Sequence, residues 1–261
     1  MITKIDHIGI SSLDIESHIA ALDELGYSLL FHEKSAPNPP EKKSVLLRHT
    51  PRHDLALLAS STGLGIELLN HGAVAKTESP MSLVSIGVDG LACKSLGDIV
   101  ICGKTFTEVA LSSIPCNALV LNQSGSFSCK GICVFVQNIN KSIEFWKWFG
   151  CKIIKVDEHS AHLGFTELLS KKTWSIYLAV DAERASTQYM DGRGVNSIAF
   201  VSTSAMKDND ALKALGYATT PIYNIKVNER LLSIMFVRGP SGENVEIICP
   251  ANKNSRINCV N

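Results

Sequence analysis

The sequence has no excess of charge of either sign. Its 261 residues contain 25 Lys and Arg against 25 Asp and Glu, so no long-range field favours nucleic acid or an acidic membrane surface. No apolar run approaches the roughly 20 residues that span a bilayer, and the opening residues MITKIDHIGIS lack the order of a secretory signal. We therefore expect a soluble, cytoplasmic protein whose partner is a small molecule, with neither nucleic acid nor membrane among its partners.

Closely paired cysteines are also missing. The eight cysteines occur without CxxC spacing, which makes a structural zinc cluster a poor expectation. Several lie in apolar runs, such as Cys133 in GICVFV and Cys249 in VEIICP. We expect most of them to be buried free thiols in a reducing compartment.

What the sequence does contain is an internal repeat. Residues 7–27, HIGISSLDIESHIAALDELGY, align without gaps on residues 197–217, SIAFVSTSAMKDNDALKALGY. Residues 131–151, GICVFVQNINKSIEFWKWFGC, follow the same register. Each copy has the alternation of a strand and then the spacing of a helix, and further strand-like runs follow it. The repeating unit is therefore predicted to be β-α-β-β-β.

Each predicted helix has a polar residue to begin it and a glycine to end it. The candidate N-caps are Asp14, Asn138 or Asn140, and Thr203 or Ser204. The glycines after the helices are Gly26, Gly150 and Gly216.

A fourth unit between residues 78 and 122 lacks a clear helix. Its strand-like runs are SLVSIGVDG, DIVICG, FTEVALSS and NALVLN, so we interpret it as a degenerate copy. The polar stretch NQSGSFSCK at 122–130 marks the most plausible boundary between two halves. We predict an α+β protein in which repeated β-α-β-β-β modules form two cupped domains, residues 1–125 and 126–261.

This pattern resembles the vicinal oxygen chelate superfamily, which includes glyoxalase I, bleomycin-resistance proteins, methylmalonyl-CoA epimerase and extradiol dioxygenases. The resemblance is carried by DHIGI with its helix and LGY, by IELLNHG, and by VNSIAF, LGY and FVRGPSGENVEIICP in the last unit. It implies a glyoxalase-like fold, but that fold hosts many reactions. Two functions stay open: a metal-assisted isomerase or lyase, and a metal-free small-molecule binding protein of the resistance type. A homodimer is compatible with either.

His7 and Glu67 are the residues at which the resemblance implies ligands for a divalent metal. Strand residues alternate between the two faces of a sheet. If Ile8 and Ile66 face the helices, then His7 and Glu67 face the concave side. The alternative is a hydrogen-bonded core histidine. Glu67 and Glu246 are also candidates for a catalytic general base.

The other units offer few metal ligands. At the position of His7 they carry Gly131, Ser197 and, by a looser alignment, Ser85; at the position of Glu67 they carry Tyr177, Glu246 and approximately Ala118. If neighbouring units pair, as consecutive elements usually do, the metal site is incomplete. Pairing of the first and last units would instead bring His7, Glu67 and Glu246 together.

Apolar residues are expected to line a cup in the C-terminal half, where Phe135 and Val201 point inward by the same alternation. The substrate-binding candidates are Phe135, Tyr177, Ser197 and Val201. The alternative is a cup filled by its own side chains.

Two weaker signals remain. Residues 34–43, KSAPNPPEKK, are expected to form a solvated loop or a lid, with surface lysines that can be changed at little cost. Five histidines are candidates by residue type alone: His49, His53, His71, His159 and His162.

Overall fold

The computed structural model describes residues 1–72, 79–89, 91–122 and 124–251. Its elements follow the predicted repeat. The first unit contains β1 (Ile2–Ser11), α1 (Ile15–Glu24), β2 (Tyr27–Pro37), a 3-10 helix (Pro40–Val45), β3 (Arg52–Ser60) and β4 (Gly65–Asn70). The second contains β5 (Met81–Ser85), β6 (Cys93–Ile101), β7 (Lys104–Leu111) and β8 (Asn117–Val120), with no helix among its described residues.

The third and fourth units each contain one helix. The third contains β9 (Cys129–Val136), α2 (Ile139–Trp148), β10 (Lys152–Val156), β11 (Ser160–Thr166) and β12 (Thr173–Val180). The fourth contains β13 (Val195–Ser202), α3 (Ala205–Ala214), β14 (Tyr223–Val227), β15 (Arg230–Arg238) and β16 (Asn244–Pro250).

The helices begin and end at predicted residues. The side chains of Asp14, Asn138 and Ser204 each accept a hydrogen bond from a backbone N–H of the first helical turn. Asn138 and Ser204 are therefore the N-caps of their helices, and the alternative candidates Asn140 and Thr203 are not. The glycines after the three helices have φ values of 80°, 94° and 84°, the left-handed conformation that glycine adopts without a Cβ clash.

The strands form two eight-stranded sheets, as the predicted α+β class with two cups requires. The strand order is β14-β15-β16-β13-β1-β4-β3-β2 in one and β10-β11-β12-β9-β5-β8-β7-β6 in the other. At the centre of each sheet two first strands pair antiparallel, β1 with β13 and β5 with β9. We call the concave face of the β1–β13 sheet the first cup, and that of the β5–β9 sheet the second cup.

The expected pairing of the first unit with the second, and of the third with the fourth, is wrong. Each sheet takes one unit from each half of the chain, so residues 1–125 and 126–261 do not each form a cup. The connection from β8 to β9 is short, and it allows the second and third units to pair. The first strands of the outer units then pair with each other, which satisfies backbone groups that would otherwise lie at an edge. The boundary at 125/126 stays a prediction about the sequence repeat.

One large apolar core contains the buried faces of both sheets and residues of the helices. Ile8, Ile10, Ile66 and Ile198 belong to it, with no more than a trace of exposure. Their burial fixes the register of the strands, because a slip of one residue would turn these side chains into the cup.

Two further expectations concern the whole chain. Cys102, Cys116, Cys129, Cys133, Cys151 and Cys249 are buried free thiols, as expected, while Cys93 is exposed. Cys259 lies outside the described residues. No helix among the described residues is long and apolar enough to cross a membrane.

Candidate metal centre

The pairing register shows which residues of the units are equivalent. The parallel neighbours are Gly9 and Glu67, Cys133 and Tyr177, and Ala199 and Glu246. His7, Gly131 and Ser197 each lie two residues before the first member of these pairs. The ungapped alignment of the sequence is therefore confirmed at the level of strand register.

His7, Glu67 and Glu246 converge in the first cup. Nε2 of His7 lies 3.3 Å from Oε2 of Glu67 and 3.5 Å from Oε2 of Glu246. One ligand atom of each residue lies within 4.8 Å of the others. The pairing of the first and last units places Glu246 beside His7 and Glu67, the two ligands predicted from the first unit.

The atoms at the centre of this group lack hydrogen-bond partners. Nε2 of His7 and Oε2 of Glu246 are both buried, and neither makes a hydrogen bond of acceptable geometry. Buried polar atoms are costly when unpartnered, whereas a divalent cation accepts both imidazole nitrogen and carboxylate oxygen as ligands. The residues present therefore fit a divalent metal, and within the described ranges no other group of His, Cys, Asp or Glu has this geometry.

A β-bulge places Asp6 beside the imidazole of His7. In the pairing of β1 with β13, Ile5 lies opposite Phe200 and His7 opposite Ala199, so Asp6 is the extra residue of the bulge. Its Oδ2 lies 3.2 Å from Nδ1 of His7. A carboxylate in this position orients a metal-binding histidine. Sequence reasoning missed this residue, although an acid directly before the histidine was visible.

The ionisable groups of the centre lie close enough to change one another's pKa values. Burial opposes protonation of His7, but Glu67, Asp6 and Glu246 outweigh it and raise the pKa of His7 well above its usual value. Burial also raises the pKa of Glu246. Without a metal, this arrangement holds an imidazolium between carboxylates.

Lys42 enters the first cup from the 3-10 helix. It is 6% exposed, and its Nζ lies 5.7 Å from the centre of the Phe236 ring. Burial lowers the pKa of Lys42, and the charges of Glu246 and Glu67 oppose that change. The expectation that the lysines of residues 34–43 lie at the surface is therefore wrong for Lys42.

The 3-10 helix explains why Lys42 is buried. Residues three apart share one face of such a helix, so Lys42 is turned inward together with the buried Val45. The adjacent Lys43 is exposed. Because the segment was expected to be an irregular loop, no sequence pattern distinguished the two lysines.

Among its described residues, the second cup has no comparable set of ligands. The pairing of β5 places Ser82 opposite Cys133, and Val84 beside both Gly131 and Leu119. Ser82 and Leu119 therefore occupy the positions that we expected Ser85 and Ala118 to occupy. Ser85 lies three residues beyond the equivalent position on β5, and Ala118 lies one residue before the equivalent position on β8, where its side chain packs in the main core. The four equivalent positions are Ser82, Leu119, Gly131 and Tyr177, against His7, Glu67, Ser197 and Glu246 in the first cup.

The second cup is instead filled by its own side chains. Phe135 and Tyr177 belong to a buried cluster with Phe106. The guanidinium of Arg184 lies 3.4 Å from the centre of the Phe135 ring and donates hydrogen bonds of 2.9 and 2.7 Å to the two carboxylate oxygens of Glu108. This pair closes the cup over the ring.

The four substrate-binding candidates do not line one pocket. Phe135 and Tyr177 lie in the second cup, whereas Ser197 and Val201 lie on β13 of the first sheet. The separation follows directly from the pairing of the units. Ser197 is buried, and its hydroxyl donates a hydrogen bond of 3.0 Å to Oδ1 of Asn196.

Solved structures share this arrangement, although no protein-family model and no curated protein sequence matches the chain. Glyoxalase I from Zea mays is 16% identical and superposes with a TM-score of 0.63, over 95% of this chain and 92% of that chain. The chain has the vicinal oxygen chelate fold. A second solved structure is a Bacillus subtilis protein whose name gives dioxygenase as a provisional function. It is 12% identical, with a TM-score of 0.59 over 96% of this chain and 86% of that chain. At these identities the likeness concerns the fold, so any statement about chemistry depends on the residues of the first cup.

Proposed function

We propose that the chain is a metal-assisted isomerase or lyase of the glyoxalase or epimerase kind, acting on a small organic molecule. The proposal is supported above all by the two unpartnered buried atoms, Nε2 of His7 and Oε2 of Glu246, which point at a common centre. Glu67 completes the ligand set. One imidazole and two carboxylates suit a divalent ion such as Mn²⁺, and leave coordination positions for substrate oxygens.

The ligand set also favours this class over a dioxygenase. Iron sites of that class commonly use two histidines and one carboxylate, whereas the fourth equivalent position of the first cup is Ser197. A divalent cation bound here would supply Lewis acidity to two chelated oxygens of the substrate, which makes a neighbouring C–H bond more acidic.

The side chains of the cup would take three roles in such a reaction. Asp6 holds His7 in one orientation. Glu67 is the better candidate for the general base, because its side chain is 15% exposed against 8% for Glu246 and is therefore more accessible to substrate. Glu246 then serves as the buried ligand and stabilises the positive charge of the site.

A metal-free binding protein is the second candidate. It is favoured by the position of His7, whose protonated ring would lie within 3.5 Å of both carboxylates and offset one of their two negative charges without a metal ion. The wall of the first cup beside this centre is apolar, with Leu69, Tyr223 and Phe236 in one buried cluster. In both cases the buried free thiols suit a reducing compartment such as the cytoplasm.

Calorimetric titration with Mn²⁺, Ni²⁺ and Zn²⁺ separates the two candidates. We expect binding by the wild type and a loss of about tenfold or more, roughly 1.4 kcal/mol, in each of His7→Ala, Glu67→Ala and Glu246→Ala. His159→Ala is the matched control, because that histidine is 76% exposed in the turn between β10 and β11. No binding by the wild type, or equal affinity in all variants, would favour the binding protein.

A reaction assay follows from a positive titration. The metal-loaded protein should catalyse exchange of the hydrogen next to the carbonyl group of a 2-oxo acid with solvent deuterium, observed by proton NMR. Glu67→Gln should abolish this exchange.

A further inference from the structure

Two stacked histidines lie in the first cup, beyond the metal centre. His53 on β3 and His71 just after β4 have ring centres 4.8 Å apart and ring planes at 16°. Both are 4% exposed. Because strand residues alternate, Glu67, Leu69 and His71 share the concave face, and four residues of strand place His71 about 13 Å from Glu67.

The imidazole nitrogens of this pair are largely unpartnered. Nδ1 of His53 and both ring nitrogens of His71 are buried without a hydrogen bond. Both residues line a cavity of about 310 Å³, together with Arg52 and with Asp54, whose carboxylate accepts a hydrogen bond from the backbone N–H of Ser35. Each neutral imidazole donates one N–H and accepts at its other nitrogen, so His71 presents a donor that nothing in the described part of the chain accepts, and Nδ1 of His53 can present a second.

Lys42 connects the pair with the metal centre. Burial lowers the pKa of His53 to about 2, and the Lys42 charge adds to this effect. Burial and then Lys42 lower the pKa of His71 to about 3 in the same way. Since Lys42 also interacts with Glu67 and Glu246, its ammonium lies within electrostatic reach of both ends of the cup. No ion pair or hydrogen bond holds the ammonium among the described residues.

The charge balance of the cup favours an anionic ligand. With a divalent cation in place, two positive charges on the ion are offset by Glu67 and Glu246, and Lys42 remains uncompensated. Asp6 does not offset it, because its carboxylate is held by Lys4 and His7. Burial lowers the pKa of Lys42 and so disfavours its charged form, whereas an anion on the ligand would favour the ammonium and pair with it.

We propose that Lys42, His53 and His71 form an anion subsite, and that the substrate is an elongated molecule with chelating oxygens at one end and a carboxylate or phosphate at the other. The anion subsite does not depend on the proposed function, whereas the elongated substrate with a chelating end rests on it. Between the two ends the wall is apolar, formed by Leu55 and Leu69. The subsite therefore selects a charged end group joined to the chelating end by a hydrocarbon segment.

The subsite is tested first in metal-free protein with inorganic phosphate. NMR of the histidine rings should show phosphate-dependent shifts for His53 and His71, and none for the exposed His159. Lys42→Met should weaken phosphate binding about tenfold, the usual effect of losing a charge-assisted hydrogen bond. Lys43→Met, on the exposed neighbour, should leave it unchanged. Because Lys42 is buried, His71→Leu provides a second variant, and circular dichroism checks that both fold.

The link to the metal centre is tested with a matched pair of ligands. In the presence of Mn²⁺, 2-oxosuberate should bind about tenfold tighter than 2-oxooctanoate, which has the same length without the terminal carboxylate. Lys42→Met and His71→Leu should both remove this preference, and His71→Leu should keep the affinity for Mn²⁺. Phosphate should compete with 2-oxosuberate in the wild type.

The two proposals fail in different ways. Absence of phosphate shifts at His53 and His71, or a preference for 2-oxosuberate that survives in both variants, would overturn the subsite. Phosphate binding that depends on Lys42 in a protein that binds no metal would support the subsite and overturn the metal-assisted function. Equal affinity for the two oxo acids in metal-loaded wild type would overturn the elongated substrate.

Discussion

Oδ2 of Asp6 lies 3.2 Å from Nδ1 of His7, because a bulge in β1 places the two side chains together. As a carboxylate accepts hydrogen bonds, this contact assigns the proton to Nδ1 in the neutral ring. The free electron pair is then on Nε2, the atom that faces Glu67 and Glu246. The bulge thus determines which nitrogen of the imidazole is available as a ligand.

Removing the carboxylate of Asp6 should weaken metal binding without removing a ligand. We expect Asp6→Ala to reduce the affinity for Mn²⁺ by about 10- to 100-fold and Asp6→Asn to reduce it less, because the amide oxygen can still accept the Nδ1 proton. Calorimetry measures both. Asp23→Asn, on the exposed face of α1, is the control, and an unchanged affinity in Asp6→Ala would contradict this role.

Gly131 should tolerate no side chain. A Cβ at this position would lie 1.7 Å from the carbonyl oxygen of Ser175, whereas a Cβ on Gly26 would meet nothing within 4 Å. We expect Gly131→Ala to lower the free energy of unfolding by about 2–4 kcal/mol through a backbone shift. Gly26→Ala should cost about 1 kcal/mol through its positive φ alone. Urea unfolding curves compare the two variants, and equal losses of unfolding free energy would contradict the close approach of Gly131 to Ser175.

Phe135 should act in stability rather than in ligand binding. Its ring is fully buried under the Arg184 side chain, so Phe135→Ala should cost about 3–5 kcal/mol of unfolding free energy. The affinities for Mn²⁺ and phosphate in the first cup should not change. A selective loss of ligand binding at unchanged stability would restore Phe135 as a substrate contact.

The buried Glu243 should make stability depend on pH. Burial raises the pKa of Glu243 to about 7 from an ordinary value of 4.5. The folded state therefore binds this proton more tightly than the unfolded state, and the stability it contributes is lost as pH rises from about 4.5 through 7. We expect this carboxyl to account for on the order of 1–3 kcal/mol over that window.

A glutamine isolates this contribution. Glu243→Gln keeps an oxygen that can accept the hydrogen bond from the backbone N–H of Ser241, and it does not ionise. The variant should gain stability relative to the wild type as pH rises from 4.5 to 7, measured by urea unfolding at several pH values. Glu24→Gln, which is exposed, should show no such trend, and parallel curves for wild type and Glu243→Gln would contradict the assignment.

The sequence predicted those parts of the fold and site that depend on local pattern. Alternation in β1 and β4 placed His7 and Glu67 on one face, since Ile8 and Ile66 must be buried. The repeat also identified Glu246 as the equivalent of Glu67. These predictions succeeded because strand register is determined by which side chains the core accepts.

The pairing of units could not be predicted in the same way. Each unit offers a first strand with an open edge, and nothing in the local pattern of β1 distinguishes β13 from β5 as a partner. Lys42 and Asp6 were missed for a related reason. The position of Lys42 depends on a 3-10 helix, and that of Asp6 on one extra residue in a strand. Each feature changes the direction of a side chain without changing the apolar pattern of the sequence.

The pairing of β1 with β13 also has a consequence for synthesis of the chain. The second sheet needs no residue beyond β12 and can close while the last unit is still being made. β1 is hydrogen-bonded to β4 early, but its other edge stays open until β13 is available, and open edges invite aggregation. A nascent chain released before β13 would expose this edge, and one released before β16 would lack Glu246. The proposed coordination of an ion by His7, Glu67 and Glu246 would therefore require that synthesis of the last unit has reached β16.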